Sequence, residues 1–477
     1  MSKLSVLAHL IFKFFKIYVL SAKAIHFKGL SKQVELSALR FMFKFSGFKT
    51  LDHYWFTKII QHSGVISMQV ARDSIYEQSK LYESKLPQVA KRVLSILKNL
   101  KIGSLKFTTP EGSTLHFGTS EAPFASIKVN SWDALSATLK SGDIGFAESY
   151  MSHLWSSDDL PGLLRLFIAN RNAIESIIYG HWLGRLSYRI KHLLNRNTRS
   201  NSKKNIHAHY DLGNAFYEIW LDSSMNYSSA IFKGDMNQPL RDAQWSKVER
   251  ALRMVDLQPK DRLLEIGCGW GALAEMASLR HGAHVTGVTL SDEQLEFAKN
   301  RMYAKNLDNL TDLRLEDYRD IKDAPFDAIC SIEMFEAVGQ SYWNSYFETV
   351  SRLLKPGAKA CIQSIVIDDS LFERYLQSTD FIQQYIFPGG CLPSASEFRK
   401  RAKQSGLVVI DEFNFGPDYA ETLRRWRHEF MLRSEEVKSV GFDNRFIKLW
   451  EFYLAYCEAA FDEANIDVIQ FTLLKPN

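Results

Sequence analysis

Residues 263–271, Leu-Leu-Glu-Ile-Gly-Cys-Gly-Trp-Gly, decide the fold. An apolar run ends in an acidic residue and is followed by three glycines at alternate positions, after which a helical pattern begins. Glycine lets the backbone turn tightly and approach a ligand closely, and open α/β sheets bind ligands at the carboxyl ends of their strands. The stretch therefore predicts a buried strand, Arg262–Ile266, that leads into a ligand-binding loop.

The acidic residue at the end of this strand indicates the kind of ligand. In dinucleotide-binding folds the glycines follow a GxGxxG spacing, and a helix N-terminus faces a pyrophosphate. Here the spacing is ExGxGxG, and the carboxylate of Glu265 would repel a pyrophosphate but attract a cation. S-adenosylmethionine (SAM) carries a sulfonium and an ammonium group. The loop therefore predicts a SAM site that includes Glu265, Gly267, Gly269 and Gly271.

Three further groups of residues extend this site, because the carboxyl ends of parallel strands meet at one edge of a sheet. Thr289, Leu290 and Gln294 follow the next predicted strand, where short polar groups suit a ribose. Glu316 and Asp317 follow the strand after it, in position for the edge of an adenine. Glu333–Glu336 follow the fourth predicted strand. The Ser-x-x-Gln pattern that ends at Gln294 is also a helix-capping pattern, and this alternative stays open.

The alternation of strand and helix patterns predicts the fold class. Helical patterns such as Asp292–Lys305 and Ser341–Leu354 separate the apolar runs. This order predicts an α/β, Rossmann-like domain with a mainly parallel sheet and helices on both faces. The predicted strands are Arg262–Ile266, His284–Thr289, Asp312–Asp317, Phe326–Ile332 and Ala358–Val366.

The chain before residue 205 has a different character. Ser104–Thr108 and Thr114–Phe117 alternate polar and apolar residues around the turn Pro110–Gly112, which predicts a small sheet. The predicted divisions are 1–85, a basic and mostly helical extension; 86–194, a smaller α+β domain; 195–204, a polar linker; and 205–477, the SAM-binding domain.

Composition excludes several classes of protein. The chain has 477 residues, of which 46% are hydrophobic and 24% charged, values typical of globular proteins with two or three domains. Its five cysteines are dispersed and form no CxxC pair, which argues against a disulfide scaffold and a zinc site. Lys13 and Lys16 interrupt the apolar run near the N-terminus, so neither a signal peptide nor a membrane span is expected. We expect a cytoplasmic protein.

Charge is concentrated at the N-terminus. Residues 1–60 carry ten Lys or Arg against Glu35 and Asp52, together with twelve aromatic residues, and Arg185–Lys204 has seven basic residues and no acidic one. Basic charge mixed with aromatic side chains suits an anionic membrane surface, so peripheral membrane association is predicted. Nucleic acid attracts the same charges but is not the predicted partner. A solvated linker and packed helices with lysine rims remain the alternative interpretation.

Several motifs, in the same order, resemble those of the cyclopropane-fatty-acyl-phospholipid synthases and mycolic acid cyclopropane synthases, a family of SAM-dependent methyltransferases. The resemblance covers about residues 205–477, is looser over 86–200, and does not extend to 1–85. The motifs are His209–Asn214 (HYDLGN), Met225–Ala230 (MNYSSA), Glu265–Gly271, Gly287–Gln294, Glu316–Asp320, Met334–Gly339, Gln384–Ser394 (QYIFPGGCLPS) and Asn414–Tyr419 (NFGPDY).

The resemblance implies a reaction. In this family the double bond of a lipid chain attacks the SAM methyl group, and the resulting cation loses a proton to a bound bicarbonate, which closes a cyclopropane ring. Tyr227 and Ser228, in the MNYSSA motif, are implied to contact SAM. The implied partners are unsaturated phospholipid acyl chains and a membrane surface, and the smaller α+β domain is implied to be lipid-facing. A homodimer is also predicted. Aromatic rings for the cation are expected in Tyr385–Phe387 and Tyr342–Trp343.

Two residues of the family's bicarbonate pocket are replaced in this chain. By motif its residues fall on Ser229, Glu336, Gln363, Ile365 and Tyr419. Ser229 replaces a cysteine and Gln363 a histidine, although both can still donate hydrogen bonds to an anion. If the anion is repositioned, the proton leaves a neighbouring carbon, and the product is methyl-branched or carries a methylene group.

Three further alternatives follow from the residues. Cys457 matches a cysteine assigned to the family's active site, although a cysteine in a helix is more often simply buried. His207 and His209, with Asp211, are the best metal candidates, but no metal is predicted because a third strong ligand is missing. A small-molecule methyltransferase would share the SAM residues without needing the later motifs, and a non-enzymatic lipid-binding module would be expected to have lost the loop glycines.

Overall fold

The computed structural model describes residues 86–178 and 212–477. The chain divides into two compact units, 1–85 and 86–477, and all described residues belong to the second. The predicted basic extension, the linker 195–204, and His207 and His209 therefore lie outside the described residues. The predicted domain boundaries stay predictions.

A small sheet and its helices form the first described part, 86–178. Both predicted strands are present, and Leu105 and Phe107 turn their side chains into its core. The four strands lie in the order β2-β1-β3-β4, with β1 antiparallel to β2 and parallel to β3. The elements are α1 (Gln88–Leu97), β1 (Ser104–Thr108), β2 (Thr114–Gly118), β3 (Phe124–Val129), α2 (Asp133–Ser141), α3 (Asp143–Met151), β4 (Trp155–Ser156), α4 (Leu160–Ala169) and α5 (Arg171–Ile178).

A seven-stranded sheet between two layers of helices forms the second described part, 212–477. The elements are α6 (Asn214–Trp220), α7 (Leu240–Met254), β5 (Arg262–Ile266), α8 (Ala272–His281), β6 (His284–Thr289), α9 (Asp292–Ala304), β7 (Thr311–Leu315), β8 (Phe326–Ile332), α10 (Trp343–Leu353), β9 (Leu354–Ile367), α11 (Asp369–Leu376), α12 (Phe381–Tyr385), α13 (Ala395–Gln404), β10 (Val408–Asn414), α14 (Gly416–Leu432), α15 (Ser434–Ser439), α16 (Asn444–Asp462) and β11 (Ile466–Leu474).

The strand order is β10-β11-β9-β8-β5-β6-β7. Strands β7, β6, β5, β8 and β9 are parallel, as predicted, whereas β11 lies antiparallel between β9 and β10. The predicted α/β, Rossmann-like fold is confirmed. The antiparallel pair was not predicted, because β11 pairs with β9 across about a hundred residues of chain and local patterns do not reveal such pairing.

Both faces of the sheet are covered, as the alternation of strands and helices predicts. On β5, Leu264 packs into one core with Trp343 and Phe347 of α10, and Leu263 packs into the other core with Leu273 of α8. Adjacent residues of a strand point to opposite faces, so this division follows from the pleat of the strand. Among the described residues, no helix is both long and apolar enough to cross a membrane.

Candidate active site

The glycine loop after β5 has the backbone that its sequence predicts. Gly267, with φ +84°, adopts the left-handed conformation, and a Cβ there would lie 2.9 Å from Cγ of Met334. Gly271 caps α8 with φ +82°, and a Cβ there would lie 3.1 Å from Cβ of Ala298 in α9. Gly267 thus makes room at the ligand side of the loop, whereas Gly271 lets α8 and α9 pack closely.

A cleft of about 160 Å³ lies at the carboxyl ends of the strands, next to this loop. Ten of the eleven residues predicted to bind the cofactor line it, while Gly271 does not and acts in packing instead. The lining residues among those predicted are Tyr227, Ser228, Glu265, Gly267, Gly269, Thr289, Leu290, Gln294, Glu316 and Asp317.

Glu265 gives the cleft its charge preference. The side chain is 3% exposed, and burial raises its pKa to about 8. Its Oε2 atom accepts no hydrogen bond from any side chain or backbone group that the structure describes. A buried acceptor without a donor is costly, so a cationic donor such as the ammonium group of SAM would stabilise it. The residues present therefore fit SAM.

The helix-capping interpretation at Gln294 is also correct. The hydroxyl of Ser291 accepts from the backbone N–H of Gln294 at 3.3 Å and so caps α9, while the Gln294 side chain accepts from the hydroxyl of Thr289 at 3.1 Å. The cap fixes the first turn of α9 against the end of β6. Gln294 therefore both ends the capping motif and lines the cleft.

A cluster of buried polar groups, which we call the Glu333 cluster, stands beside the cleft. Glu333 Oε1 accepts from the backbone N–H of Ser229 at 2.9 Å and from Nε2 of Gln363 at 2.6 Å. Its Oε2 accepts from the hydroxyl of Tyr419 at 2.5 Å. Residues from four distant segments of the chain thus converge on one carboxylate.

Glu336 lies in the same region but is held differently. Its Oε1 accepts from the backbone N–H of Ile365, whereas its Oε2 has no hydrogen-bond partner within the described part of the chain. Burial and the charge of Glu333 raise the pKa of Glu336 to about 8. At neutral pH this side chain is therefore mainly a neutral acid.

An apolar cavity of about 400 Å³ begins at these carboxyl groups. Its walls come from both sheets and their helices, including Leu105 and Phe107 of the small sheet and Phe452 of α16. Tyr227, Glu333 and Ala337 line both this cavity and the cleft, so the two spaces adjoin there. A cofactor in the cleft would face a long apolar ligand in the cavity across these three residues.

The structure divides the six predicted catalytic residues. Glu336, Ile365, Tyr419 and Cys457 line the cavity, whereas Ser229 and Gln363 lie behind it and contact Glu333. The hydroxyl of Ser229 donates to the carbonyl of Ala230 at 3.0 Å, so this residue serves the cluster through its backbone N–H. Burial raises the pKa of the Cys457 thiol far above its ordinary value, which leaves it protonated and a poor nucleophile.

The aromatic residues expected to face a cation are only partly in place. Phe387 lines the cavity. The hydroxyl of Tyr385 donates to Glu148 at 2.5 Å, and Trp343 is fully buried in the core of the large sheet. Tyr227, expected only as a cofactor residue, has a better position because it borders both spaces.

Sequence reasoning gave Glu333 no catalytic role and missed Lys247 altogether. Glu333 follows β8 immediately and was expected at the cofactor site within Glu333–Glu336, but only Glu336 was selected as catalytic because it belongs to the resemblance. Lys247 is fully buried on α7, donates to the hydroxyl of Ser228 at 2.5 Å, and has a pKa that burial lowers to about 8. No sequence signal identifies Lys247, since the helix pattern around it is that of an ordinary surface lysine. No cluster of possible metal ligands occurs in 86–178 or 212–477.

A family model described as mycolic acid cyclopropane synthetase matches residues 197–471, more than half of the chain. The chain belongs to this family. The enzyme is therefore a SAM-dependent methyltransferase, and SAM is its cofactor, as the loop at Glu265 predicts.

Two relatives match over most of the chain. Tuberculostearic acid methyltransferase UfaA1 of Mycobacterium tuberculosis H37Rv is 36% identical to the enzyme over 379 residues, 78% of this chain and 88% of the relative. Cyclopropane-fatty-acyl-phospholipid synthase of Escherichia coli K12 is 34% identical over 346 residues, 72% of this chain and 87% of the relative.

Solved structures resemble the enzyme over more than half of its chain. Mycolic acid cyclopropane synthase CmaA1, complexed with SAH and CTAB, has a TM-score of 0.52 and 30% identity, covering 57% of this chain and 97% of CmaA1. Cyclopropane synthase MmaA2 from Mycobacterium tuberculosis has a TM-score of 0.54 and 28% identity, with the same coverage.

The packing role of Gly271 can be tested by comparing the stability of two glycine variants. Gly271→Ala is expected to lower the free energy of unfolding by about 1–2 kcal/mol for its left-handed backbone. Contact with Ala298 should cost about 1–3 kcal/mol more. SAH affinity, measured by calorimetry, should change only slightly because Gly271 does not line the cleft. Gly406→Ala is the control, because Gly406 has φ +78° and a Cβ there would meet open space. If urea unfolding shows that the two variants lose the same free energy of unfolding, the packing role of Gly271 is contradicted.

Proposed function

We propose that the enzyme transfers the methyl group of SAM to the double bond of an unsaturated fatty acyl chain in a phospholipid, and that the product is a cyclopropane acyl chain. The observation that carries this proposal is the apolar cavity of about 400 Å³ that adjoins the cofactor cleft at Tyr227, Glu333 and Ala337. A small polar methyl acceptor would not need such a cavity. The relative from Escherichia coli, a cyclopropane-fatty-acyl-phospholipid synthase, supports the same substrate class.

The chemistry assigns distinct tasks to the residues. SAM supplies an electrophilic methyl group. An isolated alkene is a weak nucleophile, so the cavity must hold it in line with the cleft, and apolar walls such as Leu371 and Leu392 exclude the water that would trap a cation. The ring of Tyr227 and the carboxyl groups of Glu333 and Glu336 would stabilise positive charge on the acyl chain.

The residues that the resemblance assigns to bicarbonate do not fit that anion. Tyr419, Gln363 and the backbone of Ser229 already donate to Glu333, and the backbone of Ile365 donates to Glu336. A second anion here would lack donors and would meet the charge of a buried carboxylate. No step of the reaction is assigned to bicarbonate.

A second product has its own support. Tuberculostearic acid methyltransferase UfaA1, which is 36% identical, is named for methylation of a fatty acid. If the proton left a neighbouring carbon of the acyl chain, the product would be methyl-branched or carry a methylene group without a ring. The carbon that faces the base decides between the two products.

Where the enzyme meets its substrate is also part of the proposal. We infer a peripheral association of a cytoplasmic enzyme with an anionic membrane surface through the basic residues of 1–60, where ten Lys or Arg oppose two acidic residues. A homodimer is proposed as its form at the membrane.

Incubation of the purified enzyme with SAM and vesicles of a cis-monounsaturated phospholipid tests the proposal. Ring closure and methylation without a ring both add one CH₂, so mass spectrometry must be combined with proton NMR. Upfield ring protons are expected. Olefinic signals beside a new methyl or methylene group would establish the second product instead. Absence of transfer to any lipid would contradict both and favour a small-molecule acceptor.

A further inference from the structure

We propose that the carboxylate of Glu333 is the general base of the reaction and takes the place of a bound anion. The inference rests on the proposed function, since it concerns the proton that the alkylated acyl chain must lose. Glu333 is in the right place for this role because its side chain lines both the cofactor cleft and the apolar cavity.

The hydrogen bonds around Glu333 form a site built for an anion. Three donors approach its two oxygens: the backbone of Ser229 at 2.9 Å, Nε2 of Gln363 at 2.6 Å, and the hydroxyl of Tyr419 at 2.5 Å. These are three of the positions that the family resemblance assigns to bicarbonate. In this chain the donors hold a carboxylate that belongs to the protein itself.

A second row of side chains orients Gln363 toward Glu333. Nη1 of Arg250 donates to Oε1 of Gln470 at 2.8 Å, and Nε2 of Gln470 donates to Oε1 of Gln363 at 3.0 Å. The amide oxygen of Gln363 is thereby used, so its NH₂ group must face Glu333. Gln363 is a positioning residue, which explains why it lies behind the cavity and not in its wall.

The surroundings of the two neighbouring carboxyl groups differ. Burial raises the pKa of Glu333, while its three donors and the charge of Lys247 counter this effect. Burial raises the pKa of Glu336, the charge of Glu333 raises it further, and the backbone N–H of Ile365 donates to Oε1 of Glu336. The three donors to Glu333 thus favour its carboxylate form, whereas the charge of Glu333 favours the neutral form of Glu336.

The proton transfer balances without another reactant. The π electrons of the alkene form the bond to the methyl carbon, and the electrons of the S–CH₃ bond remain on sulfur. A carboxylate oxygen of Glu333 then takes a proton from the added methyl group, and the electrons of that C–H bond close the ring. Glu333 is left as a neutral acid and returns its proton to solvent before the next turnover.

The backbone conformation of Glu333 makes glycine a suitable replacement for testing its role. Its φ of +50° lies in the left-handed region, which glycine adopts without strain, so in Glu333→Gly the relief of backbone strain should offset part of the stability lost with the three hydrogen bonds. The three donors would then face an open space that a small added anion can enter. Glu333→Gln keeps the size and removes the charge.

The test measures methyl transfer to monounsaturated phospholipid vesicles in buffer freed of carbon dioxide, with and without added bicarbonate or formate. The wild-type rate should not depend on bicarbonate. Glu333→Gln and Glu333→Gly should lose about 10²- to 10⁴-fold in rate while binding SAH normally. Either anion should restore part of the activity of Glu333→Gly. Glu373→Gln, which changes an exposed carboxylate on α11, is the matched control.

Two results would overturn the assignment. One is a wild-type enzyme that stops without bicarbonate and recovers when it is added, which would make the anion the base. The other is a Glu333→Gly variant that keeps its rate, or that neither anion restores. An enzyme that methylates no lipid under any condition would instead refute the proposed function, and the inference with it.

Discussion

Glu265→Gln is expected to weaken SAM binding by about 10- to 100-fold, as measured by titration calorimetry. The glutamine keeps the shape of the side chain but loses the negative charge that would attract the ammonium group of SAM. Hydrogen bonds to charged groups contribute about 1.5–3 kcal/mol, and each 1.4 kcal/mol is about tenfold in affinity. Glu265 is buried at the cleft with Oε2 accepting no hydrogen bond from the described residues, so the whole effect should appear in binding.

The pH dependence of binding provides a second readout of the same residue. In the free cleft burial raises the pKa of Glu265 to about 8, so below that pH the side chain holds a proton. SAM favours the carboxylate, and binding at pH 7 should therefore release a proton, with affinity rising toward pH 8 and levelling above it. Glu265→Gln should abolish this release, whereas Glu296→Gln, an exposed control on α9, should not. An unchanged affinity in Glu265→Gln would contradict the assigned role.

Ala337→Phe is expected to lower methyl transfer by at least about 100-fold while SAM binding remains within a few fold. Ala337 borders both the cleft and the cavity, and a phenyl ring there would project into the place where the methyl group and the alkene must meet. A displacement of about 1 Å between reacting atoms can cost about 100-fold in rate. Single-turnover transfer to phospholipid vesicles and SAH calorimetry measure the two quantities separately.

Ala337→Ser is the matched control for this variant, because it adds a single oxygen and should leave most of the activity. Thermal unfolding must show that both variants fold. A wild-type rate of methyl transfer by Ala337→Phe would mean that the methyl group and the acyl chain meet elsewhere. The place where the cleft adjoins the cavity would then not be the site of the reaction.

Much of the cofactor cleft could be predicted from local sequence. Each residue of the glycine loop, and Thr289 and Gln294 after β6, follows a strand whose end is marked in the sequence. Parallel strands bring their carboxyl ends to one edge, so residues far apart in the chain meet there without further information. Gly271 is the exception, because whether a loop glycine faces a ligand or a neighbouring helix depends on how α8 packs against α9.

The catalytic region was predicted less completely, since its residues are defined by contacts with one another. Glu333 is recognisable as a base only once Ser229, Gln363 and Tyr419 are seen to donate to it. These partners lie between 30 and 104 residues away in the chain. The resemblance selected residues that the structure brings together, but it implied an external anion where three of them donate to the side chain of Glu333.

The sequence by itself determined the α/β fold, the SAM cofactor and the family, because strand patterns, loop glycines and short motifs are local properties of the chain. Only the tertiary structure decided that an apolar cavity adjoins the cleft, that Lys247 is buried behind Ser228, and that Glu333 takes the hydrogen bonds expected for bicarbonate. Burial, hydrogen-bond satisfaction and shifted pKa values arise when distant segments pack together, and no local pattern encodes them.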